Sequence, residues 1–140
     1  MSLTIVNDCP GLDLYIAVVY RDRMCDGNPP PDENWAKAAW FRVPPFQTLP
    51  PPYPGAPPLT FGGRKEVLTG SIKRQYVYVH GRAWNGSNWV AGWGDRNPED
   101  LPLHHGFREC VFHIFDPPLD RCWFVEFYSP TQNLEVHLHL

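Results

Sequence analysis

The sequence predicts an all-β fold, an antiparallel β-sandwich or small barrel of about seven strands, on three observations. Short segments of alternating apolar and polar residues recur along the chain, clusters of turn residues separate them, and no segment sustains a long helical period. The 17 prolines concentrate in the separators rather than in the alternating segments, as expected of residues that cannot donate to a strand ladder.

The first alternating segment is Leu3 to Val6, which turns at Asn7-Asp8-Cys9-Pro10-Gly11 into Leu12 to Tyr20. In the latter, Leu12, Leu14, Ile16, Val18 and Tyr20 fall on one face and Asp13 marks the other. This reads as a central strand, with the first segment as its hairpin partner. Residues 26–34 hold three consecutive prolines and form a loop. Asp32 is placed to cap one helical turn over Glu33 to Ala39.

Trp40 to Val43 reads as a short strand that Pro44-Pro45 ends. Residues 44–58 carry eight prolines and predict an extended, proline-rich surface connection. Gly62-Gly63-Arg64-Lys65 lacks the spacing and hydroxyl of a phosphate loop, so a tight turn suffices.

Tyr76 to Trp84 and Trp89 to Trp93 flank Asn85-Gly86-Ser87-Asn88 and make the strongest hairpin signal in the chain. Asn85-Gly86-Ser87 also matches a glycosylation acceptor, but the turn explains it fully. If Trp84 faces Trp89, alternation places Tyr76, Tyr78, His80, Arg82, Trp84, Trp89, Ala91 and Trp93 on one face. Val77, Val79, Gly81, Ala83, Val90 and Gly92 fall on the other. A second hairpin is expected between Glu109–Phe115 and Arg121–Phe127, and Leu134 to Leu140 closes the chain as a strand with Glu135, His137 and His139 on its polar face.

With 140 residues, 43% of them hydrophobic, the chain is expected to form one domain spanning 1–140 with its own core. A net charge of −3 supplies no basic footprint for phosphates, so nucleic acid is excluded as a partner. No apolar run reaches the length of a membrane span. Met1 to Pro10 carries Asp8 and no basic residue ahead of its apolar ones. The expected location is therefore cytoplasmic, or exported without a visible leader.

The four cysteines constrain their own pairing. Cys9 and Cys25 flank a strand about 30 Å long and cannot meet. In the expected second hairpin Cys122 lies opposite Ile114, which keeps it from Cys110. Any disulfide must therefore join the first half of the chain to the second, although a leaderless chain is expected to keep reduced, buried thiols.

Three constellations carry candidate chemistry. Tyr78, Arg82, Trp84, Trp89 and Trp93 form an aromatic, partly polar sheet face able to stack on a sugar or on another protein. Glu135, His137 and His139 share one strand face at period two and form a candidate metal set. Leu49-Pro50-Pro51-Pro52-Tyr53 has the Pro-Pro-x-Tyr pattern that aromatic-grooved WW domains recognise. His104-His105 stands near Asp95, Glu99 and Asp100 in an irregular segment without a defined partner, and Cys110 and His113 point to opposite faces of a strand.

Ile5-Val6-Asn7 before a hydrophobic strand, Trp40-Phe41-Arg42-Val43-Pro44, and Tyr76-Val77-Tyr78-Val79-His80 followed by Trp89 resemble a family of small β domains catalogued only as a domain of unknown function. That family has Gly-Trp where this chain has Ala39-Trp40, and Pro-Gly-x-Cys where it has Pro44-Pro45-Phe46-Gln47. The resemblance implies a β fold and assigns no reaction.

These observations predict a non-catalytic recognition or assembly module that binds a carbohydrate or protein ligand, or itself, through the aromatic face and needs no cofactor. Two alternatives stay open: a metal-dependent enzyme built on the histidine-bearing strand, and a WW-domain adaptor ligand.

Overall fold

The computed structural model describes residues 2–25, 35–68, 76–103, 105–111, 114–128 and 133–140. The loop expected at 26–34, His104 and His113 lie outside them. In chain order the strands are β1 (Ser2–Asn7), β2 (Asp13–Arg21), β3 (Trp35–Val43), β4 (Gln47–Leu49), β5 (Leu59–Phe61), β6 (Arg64–Leu68), β7 (Tyr76–Trp84), β8 (Trp89–Trp93), β9 (Arg96–Pro102), β10 (Phe107–Cys110), β11 (Leu119–Tyr128) and β12 (Asn133–Leu138). One short 3₁₀ turn, Arg23–Cys25, follows β2. The all-β expectation holds.

A seven-stranded sheet runs in the order β10-β3-β2-β7-β11-β9, with β8 also paired to β7, and curls into a half-barrel. A second sheet, β12-β1-β6, holds a parallel β1–β12 pair, and β4 and β5 form a separate ribbon. The curl brings distant strands together. Trp40 Nε1 donates to the Pro102 carbonyl at 2.8 Å, and Lys37 Nζ lies 3.9 Å from Glu99.

β2 is central, as its alternation predicts, paired with β3 on one side and β7 on the other. Its even residues Leu14, Ile16, Val18 and Tyr20 join Leu3, Ile5, Val77, Val79 and Leu138 in the core between the two sheets. Its odd residues Ala17 and Val19 face into the curl, where they meet Ala39, Leu101, Cys122 and Phe124. Period-two alternation thus divides one strand between two cores.

Asn7 ties the start of the fold together. Its buried Nδ2 donates to the Leu12 and Val43 carbonyls at 2.7 and 3.0 Å, and its Oδ1 accepts from the Cys9 amide at 2.9 Å. The side chain thereby serves two backbone groups of the turn after β1 and one at the end of β3.

Four expectations need correction. β1 makes no hairpin with β2; it pairs with β12 and β6 in the smaller sheet. Trp35 to Ala39 belongs to β3 rather than to a helical turn. Both edges of β3 are zipped, to β2 and β10, and such pairing outweighs one capping side chain. Among the described residues the expected second hairpin is not formed, because β10 pairs with β3 while β11 pairs with β7 and β9. Finally, Cys25 and Cys110 form a disulfide with Cα atoms 5.7 Å apart. It does join the two halves of the chain, while Cys9 and Cys122 are buried thiols.

The hairpin turn expected at Asn85-Gly86-Ser87-Asn88 joins β7 to β8. Asn85 Oδ1 accepts from the amides of Ser87 and Asn88, and Gly86 takes the positive φ of 98° that this loop requires.

Candidate functional site

The site grows from a fork in the large sheet. Along one edge of β7, residues Tyr76 to Val79 pair with β11, whereas Gly81 to Trp84 pair with β8. β11 therefore leaves β7 at Trp123 and continues beside β9, with a register irregularity between Cys122 and Phe124. Gly94, which follows β8, passes so close to this divergence that a Cβ on it would stand 1.8 Å from the Trp123 carbonyl oxygen.

Parting strands leave backbone groups without ladder partners. His80 supplies one replacement: its Nδ1 donates to the Trp123 carbonyl at 2.6 Å. With Nδ1 protonated, Nε2 presents a lone pair, and Arg82 Nε donates to it at 2.9 Å. Arg82 Nη2 crosses the fork to Asp120 Oδ2 at 2.7 Å and to Cys122 Sγ at 3.3 Å. Arg82 Nη1 makes no hydrogen bond among the described residues.

Burial sets the charge states. Desolvation lowers the His80 pKa to about 4, which the Trp123 carbonyl opposes and the nearby Arg82 charge reinforces. Burial likewise lifts the Cys122 thiol to about 11 despite Arg82. The imidazole and the thiol are both neutral near pH 7, so Arg82 and Asp120 carry the charge at the fork.

Above Arg82 opens a cavity of about 410 Å³. Tyr15 from β2, Trp40 from β3, Arg82 and Trp84 from β7, and Trp89 from β8 form its walls, and Leu103, His105 and Gly106 complete the rim. The rings are interlocked. Trp89 packs edge-on against Trp84 at 5.0 Å and Tyr15 at 5.6 Å, while the Arg82 guanidinium lies 5.5 Å from the Trp40 ring and 5.8 Å from that of Trp89. Trp89 is 51% exposed, so the aromatic surface reaches solvent. A partly apolar hollow with a few polar groups, Arg82 held among them, is a usual form of ligand site.

Of the aromatic residues expected to share this surface, Arg82, Trp84 and Trp89 converge here. Tyr78 does not line the cavity; it packs on Trp35 at 5.6 Å, and burial followed by the Glu126 charge raises its pKa. Trp93 reverses its expected face. Trp84 pairs with Trp89 but Ala83 pairs with Ala91, so Val90 is a bulge residue, and Ala91 and Trp93 turn to the side of Ala83 and Gly81. There Trp93 packs against the main core and its indole N–H donates to the His139 carbonyl at 3.2 Å.

Tyr15, Trp40 and Leu103 are the residues that sequence reasoning missed, and His105, weighed there for acid–base chemistry, joins them in the cavity wall. Tyr15 stands directly opposite Arg82 in the β2–β7 ladder, a pairing that local periodicity does not reveal.

Of the expected metal set, Glu135 and His137 stand in a surface charge network. His137 Nδ1 lies 2.9 Å from Asp8 Oδ2 and its Nε2 lies 2.8 Å from Glu135 Oε1. These two carboxylates, Asp8 first, raise the imidazole pKa. Arg64 Nη2 holds the other oxygen of Glu135 at 2.5 Å and lowers its pKa. Both imidazole nitrogens are engaged, and among the described residues no group of three His, Cys, Asp or Glu side chains is arranged to hold a metal ion.

Compared with protein-family models, curated proteins and solved structures, the chain matches none.

Proposed function

We propose that this chain is a non-catalytic recognition module that receives a sugar ring of a carbohydrate in the cavity above Arg82. The observation that carries the reading is the half-exposed Trp89 standing over Arg82: a flat apolar surface for a pyranose face beside a donor that is already held in place. Neutral His80 and the protonated Cys122 thiol support binding over turnover, since neither is poised as base or nucleophile near pH 7. The Cys25–Cys110 disulfide supports residence in an oxidising compartment, the exported alternative for this chain. The resemblance to the small β domains of unknown function remains a proposal that rests on Asn7, Trp40 and the β7–β8 segment.

A glycan array followed by calorimetric titration tests this reading. Binding should fall at least tenfold in Trp89→Ala, the loss of one stacking surface. A chain that binds no glycan but sediments as a concentration-dependent oligomer would assign Trp89 to self-association instead.

A second reading has its own observation. Tyr53 is 65% exposed between the strands of the β4–β5 ribbon, where it presents the Pro-Pro-x-Tyr pattern to solvent. Tyr53→Ala should abolish capture by a WW domain without altering the melting temperature. Unchanged capture dismisses the adaptor reading.

A further inference from the structure

We infer that the sugar received by this cavity carries a carboxylate, so that the chain discriminates acidic from neutral glycans; the inference rests on the carbohydrate reading above and narrows it. The first ground is the hydrogen-bond inventory of the cavity side chains. Arg82 Nη1 and the indole N–H groups of Trp84 and Trp89 make no hydrogen bond among the described residues, and all are donors only. The Trp40 indole is already committed to the Pro102 carbonyl. Tyr15 and His105 can accept as well as donate, and among the described residues no Asp, Glu, Asn or Gln lines the cavity. A neutral sugar presents hydroxyls that donate as well as accept, and among these side chains only Tyr15 and His105 can answer the donors, whereas Arg82, Trp84 and Trp89 offer three donors with nothing to accept them. A carboxylate only accepts.

The second ground is the distribution of charge. The Arg82–Asp120 pair is formally neutral, but its members are unequally hydrated: the Arg82 side chain is 15% exposed and that of Asp120 is 48% exposed. Water screens the carboxylate more than the guanidinium, and Asp120 does not line the cavity while Arg82 does. The cavity therefore sees a net positive centre. The same centre disfavours a cationic ligand, although an aromatic cage alone would suit one.

The third ground is preorganisation. His80, Asp120 and Cys122 fix Nε and Nη2 of Arg82, and the Trp40 and Trp89 rings lie close to the guanidinium. The unused Nη1 is thus presented without the side-chain ordering cost that a free surface arginine incurs on binding.

Calorimetric titration of the full chain with an oligogalacturonate and with its methyl ester is the test, because esterification removes the charge and keeps the ring. The free acid should bind about tenfold more tightly than the ester, as one charge-assisted hydrogen bond supplies. In Arg82→Gln the two should bind within about twofold of each other. Should that variant fail to fold, the unaltered chain still decides: raising salt should weaken binding of the acid and leave the ester unchanged. Equal affinity for acid and ester, or equal insensitivity to salt, overturns the carboxylate inference while leaving the carbohydrate reading standing. Binding of neither ligand, together with an empty glycan array, overturns both.

Discussion

Arg82 and Asp120 meet at 2.7 Å across the point where β7 and β11 part. A side-chain ion pair there spans the opening between β11 and the β7–β8 pair. His80 completes the bridge by answering the Trp123 carbonyl, so the residues that stabilise the fork also hold Arg82, the one of them that lines the cavity, in place.

His80 makes the fork sensitive to acid. Its folded pKa of about 4 lies below the ordinary value of 6.5. Between those values the unfolded chain binds the extra proton and the folded chain does not, so stability is lost as pH falls from 6.5 towards 4. The contribution amounts to roughly 3 kcal/mol at full effect. Thermal melts of His80→Phe should show lower stability at pH 7, because Trp123 loses its donor, but a shallower pH slope than the parent across that interval. Parallel slopes would remove His80 from this role.

Trp89 and Trp93 should separate function from stability. Trp93→Ala opens a hole against Gly81 and Leu138 and should cost ~2–4 kcal/mol in a denaturant melt. Trp89→Ala, at the exposed rim, should shift stability by less than about 1 kcal/mol. The reverse order would return Trp93 to the cavity face.

Gly94→Ala should be among the most damaging single methyl additions. Its φ of 147° suits glycine, and the added Cβ would collide with the Trp123 carbonyl. A loss of roughly 2–4 kcal/mol is expected, with faster amide exchange in β8 and β11. Unperturbed exchange would mean that the fork tolerates a wider separation.

The disulfide gives a chemical prediction. Cys25 and Cys110 are separated by 85 residues, and the Cys25→Ser and Cys110→Ser double variant should lose about 2–5 kcal/mol. A non-reducing peptide map should show this cross-link, while Cys9 and Cys122 label only after denaturation. Labelling of all four cysteines in the native protein would disprove the pairing.

What was legible in the sequence was local. The alternation of β2 and the Asn85-Gly86 turn report on neighbours a few residues away, and both were readable. Trp93 was not, because the bulge at Val90 answers a tertiary demand: Gly81 leaves room on the core face that a large ring can fill. β9, Arg-Asn-Pro-Glu-Asp-Leu-Pro, is an edge strand rich in polar residues and two prolines, so it carries no strand signal of its own. Arg82, Trp84 and Trp89 were found because one hairpin holds them. Tyr15 and Trp40 escaped because pairings between distant segments deliver them to the cavity.

The parallel union of β1 with β12 joins Ser2 to Asn133 and Asn7 to Leu138. A nascent chain leaving the ribosome carries β1, with only β6 to pair with, for more than a hundred residues before its parallel neighbour exists. Until then Leu3 and Ile5 have no finished sheet to belong to, and the apolar back of the half-barrel lacks part of its cover. Final closure is therefore a late, long-range event, and a chain stalled before residue 133 would present an unpaired strand edge to every similar chain nearby.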